Sequence, residues 1–556
     1  MKLKFHCRPS FLFPILALGA TALFPLPSLA RPVTPTATPI HHLVVIYQEN
    51  VSFDHYFGTY PHALNPPGEP VFQPADETPR VNTLETAKLL LTNPNTRAAN
   101  GRDAALPFRL DRTQASTADQ NHLYTAEQQA YDHGRADLFP LHTGRGLPGG
   151  VGAFSTRGQV MGYFDGNTVT ALWHYAQRFS MSDAAYTDTY GPSTPGAIEV
   201  VSGQINGLKI VHTKQQRATL TVPSPFIPDG QGGWTMIGDI DPAGDVCSVP
   251  GEQVMLTGRN IGDLLNERNI SWGGFMGGFD LSLRNSDKST GCQRQTYSEI
   301  VAEPVTDYIP HHNWFQYYTS TANPTHARPS DPSRIGQTFL KDGVHRDPAN
   351  HQYDLKDFAT ALKAGNLPAV SFLKMSAYQD GHAGYSDPLD EQQGVVQAVN
   401  LIEQSPEWQN TVIIIAYDDS DGWYDHAYVT PRHGSYDSMV DQLDGPGRCG
   451  KGIPQPIGVK GQPVNGRCGP GTRTPFLVLS PWAKRNYVSH VQITQSSVTR
   501  FIEDNWLNGK RLGQDSFDAD AAPLEDLFDF TGPAHPDPLL LNPKTGTPLL
   551  QTGSHS

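Results

Sequence analysis

Two short runs in this 556-residue chain switch abruptly from apolar to acidic. Leu43 to Tyr47 is apolar or aromatic without alternation and is followed by Gln48, Glu49 and Asn50. Thr411 to Tyr417, TVIIIAY, is followed by Asp418 and Asp419. A carboxylate beside an amide oxygen, or beside a second carboxylate, offers the hard donors that magnesium, calcium or manganese prefer. Two such strands side by side would place Glu49, Asn50, Asp418 and Asp419 around one point, which is strongly unfavourable without a cation among them. One divalent metal ion is therefore expected; hard cations are favoured, and zinc and iron stay open.

A nucleophile candidate lies in Gly191-Pro192-Ser193-Thr194-Pro195-Gly196, a tight turn with a helix expected from Ala197 to Gly203. Ser193 reads either as the helix cap or as an exposed nucleophile aided by the positive end of that helix. Histidines are the third ingredient. His122 follows Asn121, His382 lies in the glycine-rich run Asp380 to Tyr385, and His311-His312 follow Pro310. Neighbours on an extended strand point opposite ways, so both of that pair reach one ligand only from an irregular backbone.

The elements that must position these groups alternate. Unbroken apolar runs suit strands buried on both faces, as in parallel sheets, and ligands in such sheets bind outside the carboxyl ends. Strands are expected at Leu43 to Tyr47, Ile270 to Phe275, Ala369 to Leu373, Thr411 to Tyr417 and Thr474 to Ser480. Helices are expected at Val169 to Phe179, Ile261 to Arg268, Glu391 to Gln404 and Thr494 to Trp506. The alternation predicts an α/β sandwich with a mostly parallel central sheet. Thr59 to Leu106 reads as loops, Pro223 to Gly258 as a surface insertion, and the proline-rich stretch from Asp529 as surface chain.

Residues 1–30 read as a secretory signal, with Lys2, Lys4 and Arg8 before an apolar middle and Ser28-Leu29-Ala30 as the cleavage site. No twin-arginine pair is present, so general secretion to the periplasm or beyond is expected, without stable membrane insertion. Losing those three cations takes the formal charge from -14 to -17, which argues against nucleic acid as a partner. Four cysteines remain after Cys7 leaves, an even number that favours disulfides in an exported chain. Three pairings are possible, and closeness in sequence favours Cys247 with Cys292 and Cys449 with Cys468; a zinc site is the alternative. With 52 Gly and 47 Pro and no repeat or linker, 31–556 reads as a single catalytic domain with long insertions. The oligomeric state is not legible.

Taken in order, ENVSFDHYFG from Glu49 to Gly58, Asn121-His122, the Ser193 turn, His311-His312, His382, YDDSDGWYDH from Tyr417 to His426, and TRTPFLVLSPWA resemble the bacterial phosphoesterase family. That family holds the secreted acid phosphatases and the phosphatidylcholine-cleaving phospholipases C, within the alkaline phosphatase-like superfamily. The resemblance implies a three-layer sandwich, and Ser193 as nucleophile where the phospholipase branch looks to carry threonine. It also implies a metal held by Glu49, Asn50, Ser193, Asp418 and Asp419, with His122, His311, His312 and His382 around the phosphoryl oxygens of a phosphate ester. Val51 departs from the family, where many members carry arginine. The expectation is a secreted, metal-dependent acid phosphatase of broad specificity working through a phosphoserine. The alternative is a phospholipase C, against which the absent carboxyl-terminal extension and twin-arginine signal count. A sulfatase is discounted, because Ala197 stands where the sulfatase motif needs arginine. Four histidines titrating near pH ~6.5 are expected to be largely cationic in mild acid.

Overall fold

The computed structural model describes residues 35–212 and 224–549. The expected secretory signal and Cys7 lie outside them. Eight strands form the central sheet: β1 (His42–Gln48), β2 (Ser180–Ser182), β3 (Trp272–Met276), β4 (Gln352–Asp354), β5 (Val370–Lys374), β6 (Thr411–Tyr417), β7 (Phe476–Leu479) and β8 (Tyr487–Ser489). Their order across the sheet is β4-β3-β5-β1-β6-β7-β2-β8. Every pairing is parallel except those of β7, which runs against both β6 and β2. β1 and β6 are central, and their residues from Leu43 and from Thr411 onward are fully buried, as unbroken apolar runs require.

Register shows why the sheet carries helices on both faces. Tyr47 pairs with Ala416, so Tyr417 points to the opposite side. The Tyr47 hydroxyl donates to the Gly196 carbonyl of helix Ser193–Ser202 at 3.0 Å. The Tyr417 hydroxyl donates to Glu391 of helix Pro388–Glu403 at 2.7 Å. Those helices therefore cover opposite faces, which makes three layers. Helix Ser496–Trp506 packs beside Ser193–Ser202, and Thr170–Arg178 beside Pro388–Glu403.

Some expectations need correction. β2, β4 and β8 have three residues each, too few for a period to emerge. Helix Leu355–Lys363 was not expected, although Asp354 and Asp357 form its capping box. The stretch read as a surface insertion forms strands Phe226–Pro228, Trp234–Met236 and Glu252–Leu256. Their Phe226, Met236 and Val254 are buried in a second core with Ile198 and Tyr317. The cysteines pair as Cys247–Cys292 and Cys449–Cys468.

A buried ion network fastens the segments that follow β1 and β6. Arg473 is fully buried; its Nη2 lies 3.1 Å from Asp54 Oδ1 and its Nε 3.0 Å from Asp425 Oδ1. The guanidinium also sits 4.3 Å from the centre of the Phe53 ring. The Asp54 backbone N–H donates to Asp425 Oδ2 at 2.9 Å, which closes the ring of contacts.

Candidate active site

Both acidic strand ends leave the sheet at the same level. Gln48 pairs with Tyr417, so Glu49 and Asp418 emerge side by side. Asn50 then adopts a left-handed conformation (φ 47°), which asparagine tolerates better than most residues and which turns the chain sharply. Its backbone N–H donates to Asp418 Oδ1 at 3.2 Å, and that of Val51 to the Asp419 carbonyl at 2.9 Å. Val51 is itself 1% exposed, a core residue that brings no charge to this corner.

Ser193 is the first residue of its helix, not the residue before it, and its hydroxyl caps nothing. Oγ lies 3.0 Å from Glu49 Oε2, 3.2 Å from Asn50 Oδ1 and 3.1 Å from Asp419 Oδ2. The helix can come this close because residue 196 is glycine; a Cβ there would stand 2.0 Å from the Asp418 carbonyl oxygen. Gln495 Nε2 donates to that same carbonyl at 2.6 Å and to the Tyr47 hydroxyl at 2.7 Å.

These oxygens outnumber the protons available to them. One serine hydrogen faces three acceptors, and Asn50 Oδ1 also meets Glu49 Oε2 at 2.6 Å, Asp418 Oδ1 at 3.0 Å and Asp419 Oδ2 at 3.3 Å. Turning the amide over would give each oxygen a donor, but it would also set the amide oxygen against His382 Nε2 at 3.0 Å. His382 Nδ1 donates to the Ala383 carbonyl at 2.6 Å, which in the neutral imidazole leaves Nε2 to accept from the amide nitrogen. A cation among these oxygens would remove the need for the flip, since Glu49, Asn50, Asp418 and Asp419 then present the cage of hard donors that a hard cation fits. Burial and the neighbouring Glu49 hold Asp418 well above the usual carboxylate range. Burial likewise raises Asp419, against the nearby His122. A bound cation would relieve both.

The surroundings push the histidines in two directions. His122 is buried, which opposes protonation, but Asp419 and Asp421 prevail and raise its pKa well above the usual value. Its Nδ1 is 2.9 Å from Asp421 Oδ1, and its Nε2 faces the Asn50 amide at 3.5 Å. His311 is raised too, against burial, by Asp241 at 3.5 Å and by Asp239. His312 and His382 are lowered, first by burial and, in His312, also by the charges of His311 and Lys374. Carboxylates outweigh desolvation only at His122 and His311, so the surroundings favour protonation of those two and oppose it at His312 and His382. The irregular backbone the His311-His312 pair needs is a single 3-10 turn, Pro310–His312, which sets the rings at 85° with centres 4.5 Å apart.

Several residues here escaped sequence reasoning. Lys374, at the end of β5, contacts Glu49 Oε1 and lies 3.2 Å from Asp418 Oδ2. A lysine closing a buried strand was the available signal, since its charge needs partners. Glu127 joins the turn before Ser193 to the loop after Asp419: Gly191 N–H donates to its Oε2 at 2.9 Å and the Ser420 hydroxyl to its Oε1 at 2.8 Å. Asp239 accepts from the Thr194 backbone N–H and hydroxyl, both at 2.9 Å. It stands at the edge of a cavity of ≈ 450 Å³ lined also by Leu123, Tyr124, Ala126, Ile237 and Val440. Nothing in the sequence around Glu127 or Asp239 marks them out.

The chain belongs to the phosphoesterase family, whose model matches residues 40–507. It is similar to phospholipase C B of Mycobacterium tuberculosis, 23% identical over 554 residues, spanning 94% of this chain and 85% of that protein. It is also similar to the non-hemolytic phospholipase C of Pseudomonas aeruginosa, 23% identical over 477 residues, spanning 84% of this chain and 54% of that protein. Among solved structures, murine ectonucleotide pyrophosphatase/phosphodiesterase 5 matches 65% of this chain and 95% of its own, at 10% identity and a TM-score of 0.29. Among the described residues, no helix is long and apolar enough to cross a membrane.

Proposed function

We propose that this protein is an exported, metal-dependent phosphatase, a single catalytic domain over 31–556 that hydrolyses phosphate monoesters through a phosphoserine, working on the acid side of neutrality. The observation that carries the reading is the Ser193 hydroxyl, directed into the oxygens of Glu49, Asn50 and Asp419 within 3.2 Å. Glu49, Asn50, Ser193, Asp418 and Asp419 would hold a divalent ion, which when bound lowers the pKa of the serine hydroxyl and offsets phosphoryl charge.

The chain's own groups account for the rest. Ser193 Oγ forms the bond to phosphorus as the bond to the ester oxygen breaks, and it loses its proton to one of the carboxylates it faces, Glu49 Oε2 at 3.0 Å or Asp419 Oδ2 at 3.1 Å. His122 and His311, the two imidazoles whose surroundings favour protonation, would donate to the phosphoryl oxygens. His311, 30% exposed, is placed to return a proton to the leaving alkoxide. Water then cleaves the phosphoserine and frees inorganic phosphate. A monoester that has lost its second proton, as it does above pH ~6, carries one more negative charge than a diester, and imidazoles that favour protonation suit that load.

Phospholipase C activity is the second reading. The curated relatives bear that name, and the cavity beside Asp239 gives a larger, positively charged ester group both space and a counter-charge. The deciding experiment compares phosphate release from p-nitrophenyl phosphate with phosphocholine release from phosphatidylcholine, with and without chelator. Phosphate release should dominate and stop on chelation; dominant phosphocholine release establishes the second reading. Chelator-resistant activity removes the metal from both.

A further inference from the structure

Glu49 and Asp418 each divide their two oxygens between different neighbours. Glu49 Oε2 and Asp418 Oδ1 meet the Asn50 amide at 2.6 and 3.0 Å, on the side of Ser193. Glu49 Oε1 and Asp418 Oδ2 face away from it and meet the Lys374 ammonium. The lysine side chain is 1% exposed, and both carboxylate side chains are 0% exposed. Behind it stand further groups with ligand chemistry. His312 Nδ1 lies 3.1 Å from Glu49 Oε1 and 3.9 Å from Asp380 Oδ2. Glu49, His312 and Asp380 thus present ligand atoms within 4.8 Å of one another, a spacing that suits a metal ion.

We infer that Lys374 is the permanent second cation of this site: its ammonium takes the outer position between Glu49 and Asp418 that a second divalent ion would otherwise fill, and so limits the site to one metal ion. The inference rests on the reading of Glu49, Asn50, Ser193, Asp418 and Asp419 as ligands. Four buried carboxylates, Glu49, Asp380, Asp418 and Asp419, need more positive charge than one divalent ion supplies. A lysine on β5 supplies it covalently, so chelators cannot remove it. It also turns one oxygen of Glu49 and one of Asp418 permanently away from the reacting side. His312 is then a partner of Glu49 and not itself a metal ligand.

The test counts metal. Chelator-stripped wild type, Lys374→Ser and His312→Ala are titrated with manganese(II), and bound ions are counted by calorimetry and by electron paramagnetic resonance. Wild type and His312→Ala should each take one equivalent. Lys374→Ser, which removes the charge and opens the space, should take two, with the broadened spectrum of neighbouring ions. Two equivalents in wild type, or one in a folded Lys374→Ser, overturns the inference and leaves the proposed function standing. Should the serine variant not fold, Lys374→Gln is counted in its place with the same expectation, and loss of the single equivalent in His312→Ala also overturns the inference, since it would show that His312 carries the ion. No manganese in wild type overturns this inference and the metal reading together.

Discussion

Glu127 binds the backbone N–H of Gly191 at 2.9 Å, and with its other oxygen it holds Ser420. One buried carboxylate thereby fixes the turn that presents Ser193 relative to the loop that presents Asp418 and Asp419. Truncation to Glu127→Ala leaves a buried N–H and a buried hydroxyl unpaired, at about 1–3 kcal/mol. Displacement at the nucleophile should lower kcat by roughly 10²-fold. Manganese affinity should change far less, because Glu127 donates to none of the cage oxygens. Steady-state kinetics and metal titration on the same preparation check the split.

Ser193→Ala should lose activity by at least about three orders of magnitude, as loss of a nucleophile does elsewhere. Acid quench of wild type during turnover, followed by mass spectrometry, should find phosphate on Ser193. Activity that survives in the alanine variant removes Ser193 from the role.

Stability should fall as pH rises. Burial pushes Glu127 up to about 7, and Glu391 and Glu403 up to about 8. A glutamate in the unfolded chain titrates near ~4.3, so between these values the folded state holds protons that the unfolded state has released. The contribution is complete below that unfolded value and disappears as pH rises through the folded values. In chelator-stripped protein the melting temperature should therefore decline from about pH 5 to about pH 8. Glu391→Gln, which keeps an acceptor for one of Tyr56 and Tyr417 and offers its amide N–H to the other, should flatten the decline. A melting temperature that climbs over this range contradicts the assignment.

Arg473→Met should destabilise the fold by roughly 3–5 kcal/mol, since Asp54 and Asp425 would be left buried without their counter-charge. Urea denaturation measures it. Adding Asp425→Asn should recover part of the loss, because one of the stranded charges is then gone.

Legibility in the sequence followed from how many residues carry each signal. β1 announces itself through the five-residue run Leu43 to Tyr47 and β6 through the seven-residue run Thr411 to Tyr417, and their shared switch to acid predicts that they lie together, as their register shows. Glu49, Asn50, Asp418 and Asp419 were legible for that reason, and Ser193 through its glycine-proline turn. The structure brings all five within hydrogen-bond reach. Glu127 was not legible, and Lys374 only as a lysine closing a buried strand, since each acts through partners distant in the chain: 325 residues separate Lys374 from Glu49, and 293 separate Glu127 from Ser420. The charge states of the histidines were hidden for the same reason. They depend on Asp421, Asp239 and Asp241, which only the fold brings near.

Gly196 bears on how this site can be adjusted. Helix and strand end meet there main chain to main chain, so no change of rotamer can open or close the gap between Ser193 and the oxygens it faces. Repacking elsewhere in the core leaves that clearance alone. Position 196 acts as a shim of zero thickness, and a single methyl group inserted there would move the reacting hydroxyl away from all of its partners at once.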